Sequence, residues 1–411
     1  MRTFIDLFAG CGGLSLGLEQ SGFTPVYVNE IDKSAMDTYL SNRTQYSQIS
    51  NSNFHSYDIL DAIQKKNLEN LKRNLKKTFN INDIDLVVGG PPCQGYSAMG
   101  IRRSYEVDKN QLPANYLYKG MIKFIKFFQP KIFLFENVSG ILNSKWTKLG
   151  KKGEIFSDIQ KDFRKLSNYF QDFKLIYSKN YGVPQNRPRV FLIGIRKDLS
   201  FLPNHEKTCS GLLPEPTYDY HNIEDILGDL IDVNYKKNLK TLSYHYNPKN
   251  EIQKLYRKIK NTNKYFKKGD LITHHEYSNH SYKVEKKFKY MITNNGKIRE
   301  DMKTKKFAQK VLPRKWGNKG PNITTTSLPD DYVHFSQPRS LTVREWARLQ
   351  TFPDWYIFKG KRTTGGLRRA GNPQEGIFDR ELPQYTQIGN AVPVLLANKI
   401  GNHFIKLIKN G

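Results

Sequence analysis

Six short runs rich in β-branched and aromatic residues, at 3–8, 25–30, 85–90, 131–138, 173–178 and 189–196, alternate with stretches whose apolar residues recur at helical spacing. Among the latter are 14–20, 33–40 and 116–128. Strand and helix taking turns in this way predicts an α/β fold, an open and mostly parallel sheet with helices on both faces. In such sheets ligands bind outside the carboxyl ends of the strands. The loops that follow the runs are therefore where chemistry is expected.

The alternation stops near Arg196. Pro203, Pro214 and Pro216 mark a linker, and residues 231–320 are rich in Lys and Asn with weak periodicity. That stretch holds 24 Lys and Arg against 7 Asp and Glu, a surplus of 17 within a chain whose formal net charge is +28. Tyr235, Tyr244, Tyr246, Tyr256, Tyr265, Phe266, Tyr277, Tyr282 and Phe288 are interleaved with the cations. A basic, aromatic-rich segment suits phosphate contacts and base stacking. Regular patterning returns at Thr342, which has capping-box spacing to Glu345. Apolar residues at helical spacing over 394–408 predict a last helix. The strand at Thr3 has no helix before it, so this last helix is expected to return and cover the first strand.

Three cysteines (Cys11, Cys93 and Cys209) make neither a disulfide framework nor a metal cluster, so no metal is expected. No apolar run reaches membrane-spanning length and no signal-peptide layout is present, which predicts a cytoplasmic protein away from membranes.

Three loops carry the candidate chemistry. Phe8-Ala9-Gly10-Cys11-Gly12-Gly13 follows the first run and opens a helix, letting backbone approach a ligand closely. Glu30 ends the second run and Asp58 is read as ending a third; an acid there accepts hydrogen bonds from ribose hydroxyls. With no Lys or Arg in the loop to meet a pyrophosphate, a nucleoside bearing a positive sulfonium fits better than a dinucleotide, and Phe8 can face the sulfonium. Gly90-Pro91-Pro92-Cys93-Gln94-Gly95 follows the third run. A lone cysteine is most often inert and buried, but this one sits in a polar Gly/Pro loop at a ligand-binding edge. Glu136-Asn137-Val138 ends the next run, and Gln185-Asn186-Arg187-Pro188-Arg189 precedes the last. Thiol, carboxyl and guanidinium together suit addition of a thiolate to carbon 6 of cytosine, which makes carbon 5 nucleophilic. The base must first leave the helical stack. Residues 97–114 have the composition of a lid.

On these motifs, together with Arg339–Pro353 and Gln387–Ala397, the chain resembles the DNA cytosine-5 methyltransferases of bacterial restriction–modification systems. The resemblance implies the Rossmann-like methyltransferase fold of S-adenosylmethionine-dependent enzymes, with a smaller, irregular target-recognition domain. It divides the chain into a catalytic domain, 1–198 with 386–411, and a recognition domain and hinge, 199–385. Cys93 becomes the nucleophile, Glu136 the contact to the cytosine edge and Arg189 the contact to its carbonyl, supported by Arg187. Phe8, Gly10, Gly12, Glu30, Ile31, Asp58, Asn390 and Val392 become the cofactor pocket, and residues 387–393 open the returning helix. The implied partner is double-stranded DNA, bound by a monomer. Two alternatives remain: an RNA methyltransferase, whose tRNA branch carries a Cys-Phe-Thr element absent here, and a binder that has lost catalysis. A nicotinamide-dependent enzyme explains the glycine loop alone.

Overall fold

The computed structural model describes residues 1–92, 113–199, 212–236, 239–303, 309–315, 332–363 and 381–409. Seven strands form one sheet: β1 (Arg2–Leu7), β2 (Phe23–Asn29), β3 (His55–Ser56), β4 (Leu86–Gly89), β5 (Ile132–Val138), β6 (Tyr169–Tyr177) and β7 (Pro188–Arg196). Their order is β3-β2-β1-β4-β5-β7-β6, parallel throughout β1 to β5, with β7 antiparallel to both β5 and β6. The sheet is thus mostly parallel, as expected.

Alternate side chains along each strand serve two different cores, because a strand presents successive residues to opposite faces. Ile5, Leu7, Val87, Phe133, Phe135 and Leu192 join one core with α2 (Lys33–Ser41), α4 (Lys65–Phe79), α5 (Tyr118–Phe128) and α6 (Glu154–Arg164); a short α3 (Ile59–Ala62) precedes α4. Phe4, Leu86, Val88, Leu134, Phe191 and Ile193 join the other. α1 (Gly13–Ser21) and the last helix, Val394–Lys409, cover this second face with buried apolar residues such as Leu14, Leu18, Leu396, Ile400 and Phe404, joined by Tyr181, Val183 and Leu213. The last helix does return to the first strand's face. Gly17 makes its close approach possible: a Cβ there would lie 2.4 Å from Ala397 Cβ and Val394 O.

Residues 212–363 carry little regular structure. Short helices α7 (Ile223–Leu227), α8 (Glu251–Arg257) and α10 (Val343–Leu349) surround a third core built on Trp346, Tyr244, Tyr256 and Leu341, while α9 (Tyr282–Thr293) packs Phe288 and Met291 against Val333 in a separate small cluster. The predicted capping box is present: the Glu345 N–H donates to Thr342 Oγ1 at 3.2 Å, and the Thr342 N–H donates to Glu345 Oε2 at 2.8 Å. This core is knit by fully buried ions. Arg348 binds Asp229 at 2.5 Å and Asp354 at 2.6 Å, Arg257 binds Asp229 at 2.5 Å, and Arg339 binds Glu345 at 2.7 Å. Residues 387–393 differ from expectation. They do not open the last helix but end a separate one, α11 (Gln384–Asn390), cross over, and lead into α12 (Val394–Lys409).

Candidate active site

Strand order reverses between β1 and β4, which makes the crevice beyond their carboxyl ends the place for a ligand. The loop Phe8–Gly12 lies on one side of that crevice and Gly90-Pro91-Pro92 on the other. Phe8 (φ 60°), Gly10 (φ 56°) and Gly12 (φ 82°) all take left-handed backbone conformations, an expense for Phe8 of the kind that collects at functional sites. The turn is tied to the end of β2. Ala9 N donates to Asn29 O at 3.0 Å, and Gly10 N to Glu30 Oε2 at 2.8 Å. Asp32 N takes the other oxygen of Glu30 at 2.8 Å. Burial pushes the Glu30 carboxyl up to about 7, only partly offset by these two N–H donors. Beneath the loop, Asp6 is likewise pushed up to about 7 by burial while accepting from Ser15 Oγ at 2.5 Å.

Apolar side chains stand exposed beyond the neighbouring strand ends. Among the described residues nothing lies within 4 Å of where a Gly10 Cβ would point. Ile31, just beyond β2, is 71% exposed, and Tyr57 and Leu60, just beyond β3, are 43% and 53% exposed. Asp58 sits between them with its carboxylate turned to the Leu60 N–H at 2.8 Å, as the cap of α3. Tyr57 and Leu60 escaped the sequence reading; exposed apolar residues beside an acid at a strand end were the available signal. Cys11 is not reactive: its thiol is buried, donates to Gln387 O at 3.3 Å, and is pushed up to about 12 by burial. Val392 is buried against Gly13, whereas Asn390 is exposed.

The second half of the crevice belongs to β4, β5 and β7. Antiparallel pairing sets Val138 opposite Arg189. Glu136, two residues before Val138, therefore shares a face with Arg189, and their side chains meet as diagonal neighbours. They form an ion pair at 2.8 Å, each only about a tenth exposed. Gly90 passes so near that a Cβ would stand 2.9 Å from Glu136 Oε2. Asn137 Nδ2 donates to Pro91 O at 3.2 Å, which fixes the start of the Pro91-Pro92 segment. Cys93 and all but the last two residues of the expected lid, 97–114, lie outside the described residues. Arg187, two residues before Arg189, is buried and turned away from Glu136; its Nη2 donates to Gly389 O at 2.7 Å.

The basic segment needs correction in its aromatics. Tyr244, Tyr256, Tyr277 and Phe288 are 1–4% exposed and pack the interior, so they are core rather than stacking platforms. Arg257, counted with the surface cations, is buried against Asp229. The segment's lysines at 258, 264, 267, 268, 283, 286 and 289 are exposed, as is Tyr282. Among the described residues no cluster of metal-ligating side chains occurs, and no helix is long and apolar enough to cross a membrane.

A profile of the C-5 cytosine-specific DNA methylases matches residues 2–406. The chain belongs to that family. It transfers a methyl group to carbon 5 of cytosine in DNA, through the flipped-out base and cysteine adduct that the family's chemistry entails. The Type II methyltransferase M.DdeI of Desulfomicrobium norvegicum is 29% identical over 420 residues, spanning 99% of this chain and 89% of the relative. The Type II methyltransferase M1.HphI of Haemophilus parahaemolyticus is 30% identical over 414 residues, spanning 99% and 88%. In fold the chain is similar to a prophage-encoded E. coli protein whose crystal structure is described as that of a DNA modification methyltransferase (TM-score 0.68, 24% identity, all of both chains). The Entamoeba histolytica methyltransferase EhMeth is a more distant match (TM-score 0.54, 15% identity, 99% of this chain and 98% of the other).

Proposed function

We propose that Cys93, Glu136 and Arg189 carry the reaction and that S-adenosylmethionine occupies the crevice between the ends of β1 and β4. The Glu136–Arg189 ion pair is the observation that carries this reading: an acid and a cation held on one face, beside the backbone that leads into Cys93. The Cys93 thiolate adds to carbon 6 of the extruded cytosine, and the Glu136 carboxyl donates a proton to ring nitrogen 3 as the bond forms. Arg189 holds the carbonyl oxygen at carbon 2, where negative charge grows. S-adenosylmethionine, when bound, supplies the methyl group that carbon 5 takes up. Loss of the carbon 5 proton then expels the thiolate and restores the aromatic ring.

The crevice suits that cofactor. Open space at Gly10 leaves room for a ligand against the backbone, and Glu30 offers a carboxylate with spare acceptor capacity for ribose hydroxyls. Ile31, Tyr57 and Leu60 offer exposed apolar surface for a base, and we assign Phe8, Gly12, Asp58, Asn390 and Val392 to the same pocket. We assign residues 1–198 with 386–411 to catalysis and 199–385 to recognition of double-stranded DNA, through the exposed lysines of 258–289. The enzyme acts as a cytoplasmic monomer within a restriction–modification system. Duplex phage DNA amplified with 5-fluoro-2′-deoxycytidine triphosphate and incubated with S-adenosylmethionine tests the covalent role. The wild-type protein should form an adduct that survives denaturation, and Cys93→Ser should form none while still retarding DNA. An adduct with Cys93→Ser refutes the assignment.

A further inference from the structure

A helix leaves its last carbonyls without partners inside the helix. At the end of α11, two side chains from distant parts of the chain grip four consecutive carbonyls. Gln350 Nε2 donates to Ile388 O at 2.8 Å and to Ala391 O at 3.1 Å. Arg187 Nη2 donates to Gly389 O at 2.7 Å and to Asn390 O at 3.3 Å. A guanidinium is well suited to a helix carboxyl end, where partial negative charge collects.

Gln350 belongs to a wider junction. It caps α10, and its Oε1 accepts from Gln185 Nε2 at 2.5 Å, while the same Nε2 donates to Leu349 O at 2.9 Å. The next residue, Thr351, has φ 62°, a left-handed conformation that a β-branched residue adopts only under constraint. In that position its Oγ1 accepts from Leu395 N at 2.9 Å, and Gln350 O accepts from Val394 N at 3.2 Å, so this turn caps α12 as well. Three segments therefore meet on one amide side chain: the turn before β7, the end of α10, and the crossover 388–394.

We propose that Gln350 is a positioning residue that couples the seating of DNA on the recognition region to the cofactor crevice and to Arg189. This rests on the reading above, in which Asn390 and Val392 border the cofactor and residues 199–385 meet DNA. Movement of α10 shifts Gln350, and through it the carbonyl strip 388–391. Arg187 holds the same strip and stands two residues from Arg189. DNA and cofactor thus act on a shared set of hydrogen bonds, and each should tighten the other by the same factor.

The test is equilibrium dialysis of labelled S-adenosylhomocysteine against the full-length protein, alone and with sheared, unmethylated phage DNA. Gln350→Met keeps length and volume but removes donor and acceptor; Gln185→Met removes the donor that orients the Gln350 amide and stands in should the first variant fail to fold. For the wild-type protein, DNA should tighten ligand binding, and in both variants that ratio should fall by at least about fivefold. A purely structural role would weaken both affinities together and leave the ratio intact, which overturns the proposal. A wild-type ratio of one also overturns it. Absence of any ligand binding by the wild-type protein refutes instead the cofactor reading on which the proposal rests.

Discussion

The sheet and the region 212–363 bury their interiors by opposite means. In the sheet, Phe4, Val88 and Leu134 on one face and Ile5, Val87 and Phe135 on the other are fully buried, and strand alternation alone assigns each to its side. In the region 212–363 the interior holds Arg257, Arg339, Arg344 and Arg348, with Asp229, Glu345 and Asp354 as counter-charges. Apolar burial is tolerant of exchange, whereas a buried ion network is stable only when every member is present. A region held by directed ion pairs can keep a defined shape with few regular elements.

The sharpest way to break this contrast is Arg348→Met. It removes the partner shared by Asp229 and Asp354 and leaves buried carboxylates without their cation, so unfolding in urea should show a loss of about 3–5 kcal/mol. A loss below about 1 kcal/mol would mean the network adds nothing to the region's stability. On the sheet side, Gly17→Val drives a side chain into Ala397 and the Val394 carbonyl, and the overpacking should cost about 1–3 kcal/mol. The same urea titration would show it, and an unchanged midpoint would mean that α1 and α12 need not touch closely.

A third expectation uses acid and base to separate the regions. Burial pushes Glu30 and Asp6 up to about 7, so they favour the folded state below their unfolded range near 4 and lose that contribution as pH rises through 7. Burial also pushes Glu345 and Asp354 up, but Arg339 and Arg348 outweigh it and hold both below the usual carboxylate range. Their contribution is present above that range and lost as pH falls. Hydrogen exchange should accordingly show 229–354 loosening first in acid. Hydroxyl donors on a ligand favour ionised Glu30, so S-adenosylhomocysteine should bind about tenfold tighter at pH 8 than at pH 6. Glu30→Gln should flatten that slope; an unchanged slope would remove Glu30 from the ligand's contacts.

The same contrast explains what was legible in the sequence. The sheet was readable because period-two patterning is a local signal, and the motif loops fall at strand ends whose position the pattern sets. β6 starts earlier than expected, at Tyr169, because this edge strand carries Gln171 and Asp172 in its first half and lacks a continuous apolar run. The Glu136–Arg189 pairing followed from two strands whose antiparallel register no composition reveals. The core of the region 212–363 was not readable. An arginine buried against aspartate looks in sequence like an arginine awaiting phosphate, and Tyr244 or Phe288 among lysines looks like a stacking surface. Capping was the exception, since Thr342 and Glu345 satisfy each other within four residues.

The docking of α12 beside α1 has a bearing on how the enzyme is made. About 370 residues separate the two helices, so at about 5–20 residues per second roughly 20–75 s of synthesis pass between them. Through that interval Phe4, Leu14, Leu18 and Leu86 lack their cover, and the crossover bearing Asn390 has not yet been translated. A nascent chain can hold Cys93 and residues 212–363 while the second face of its sheet is still uncovered, so that face closes only once residues 394–409 have been made.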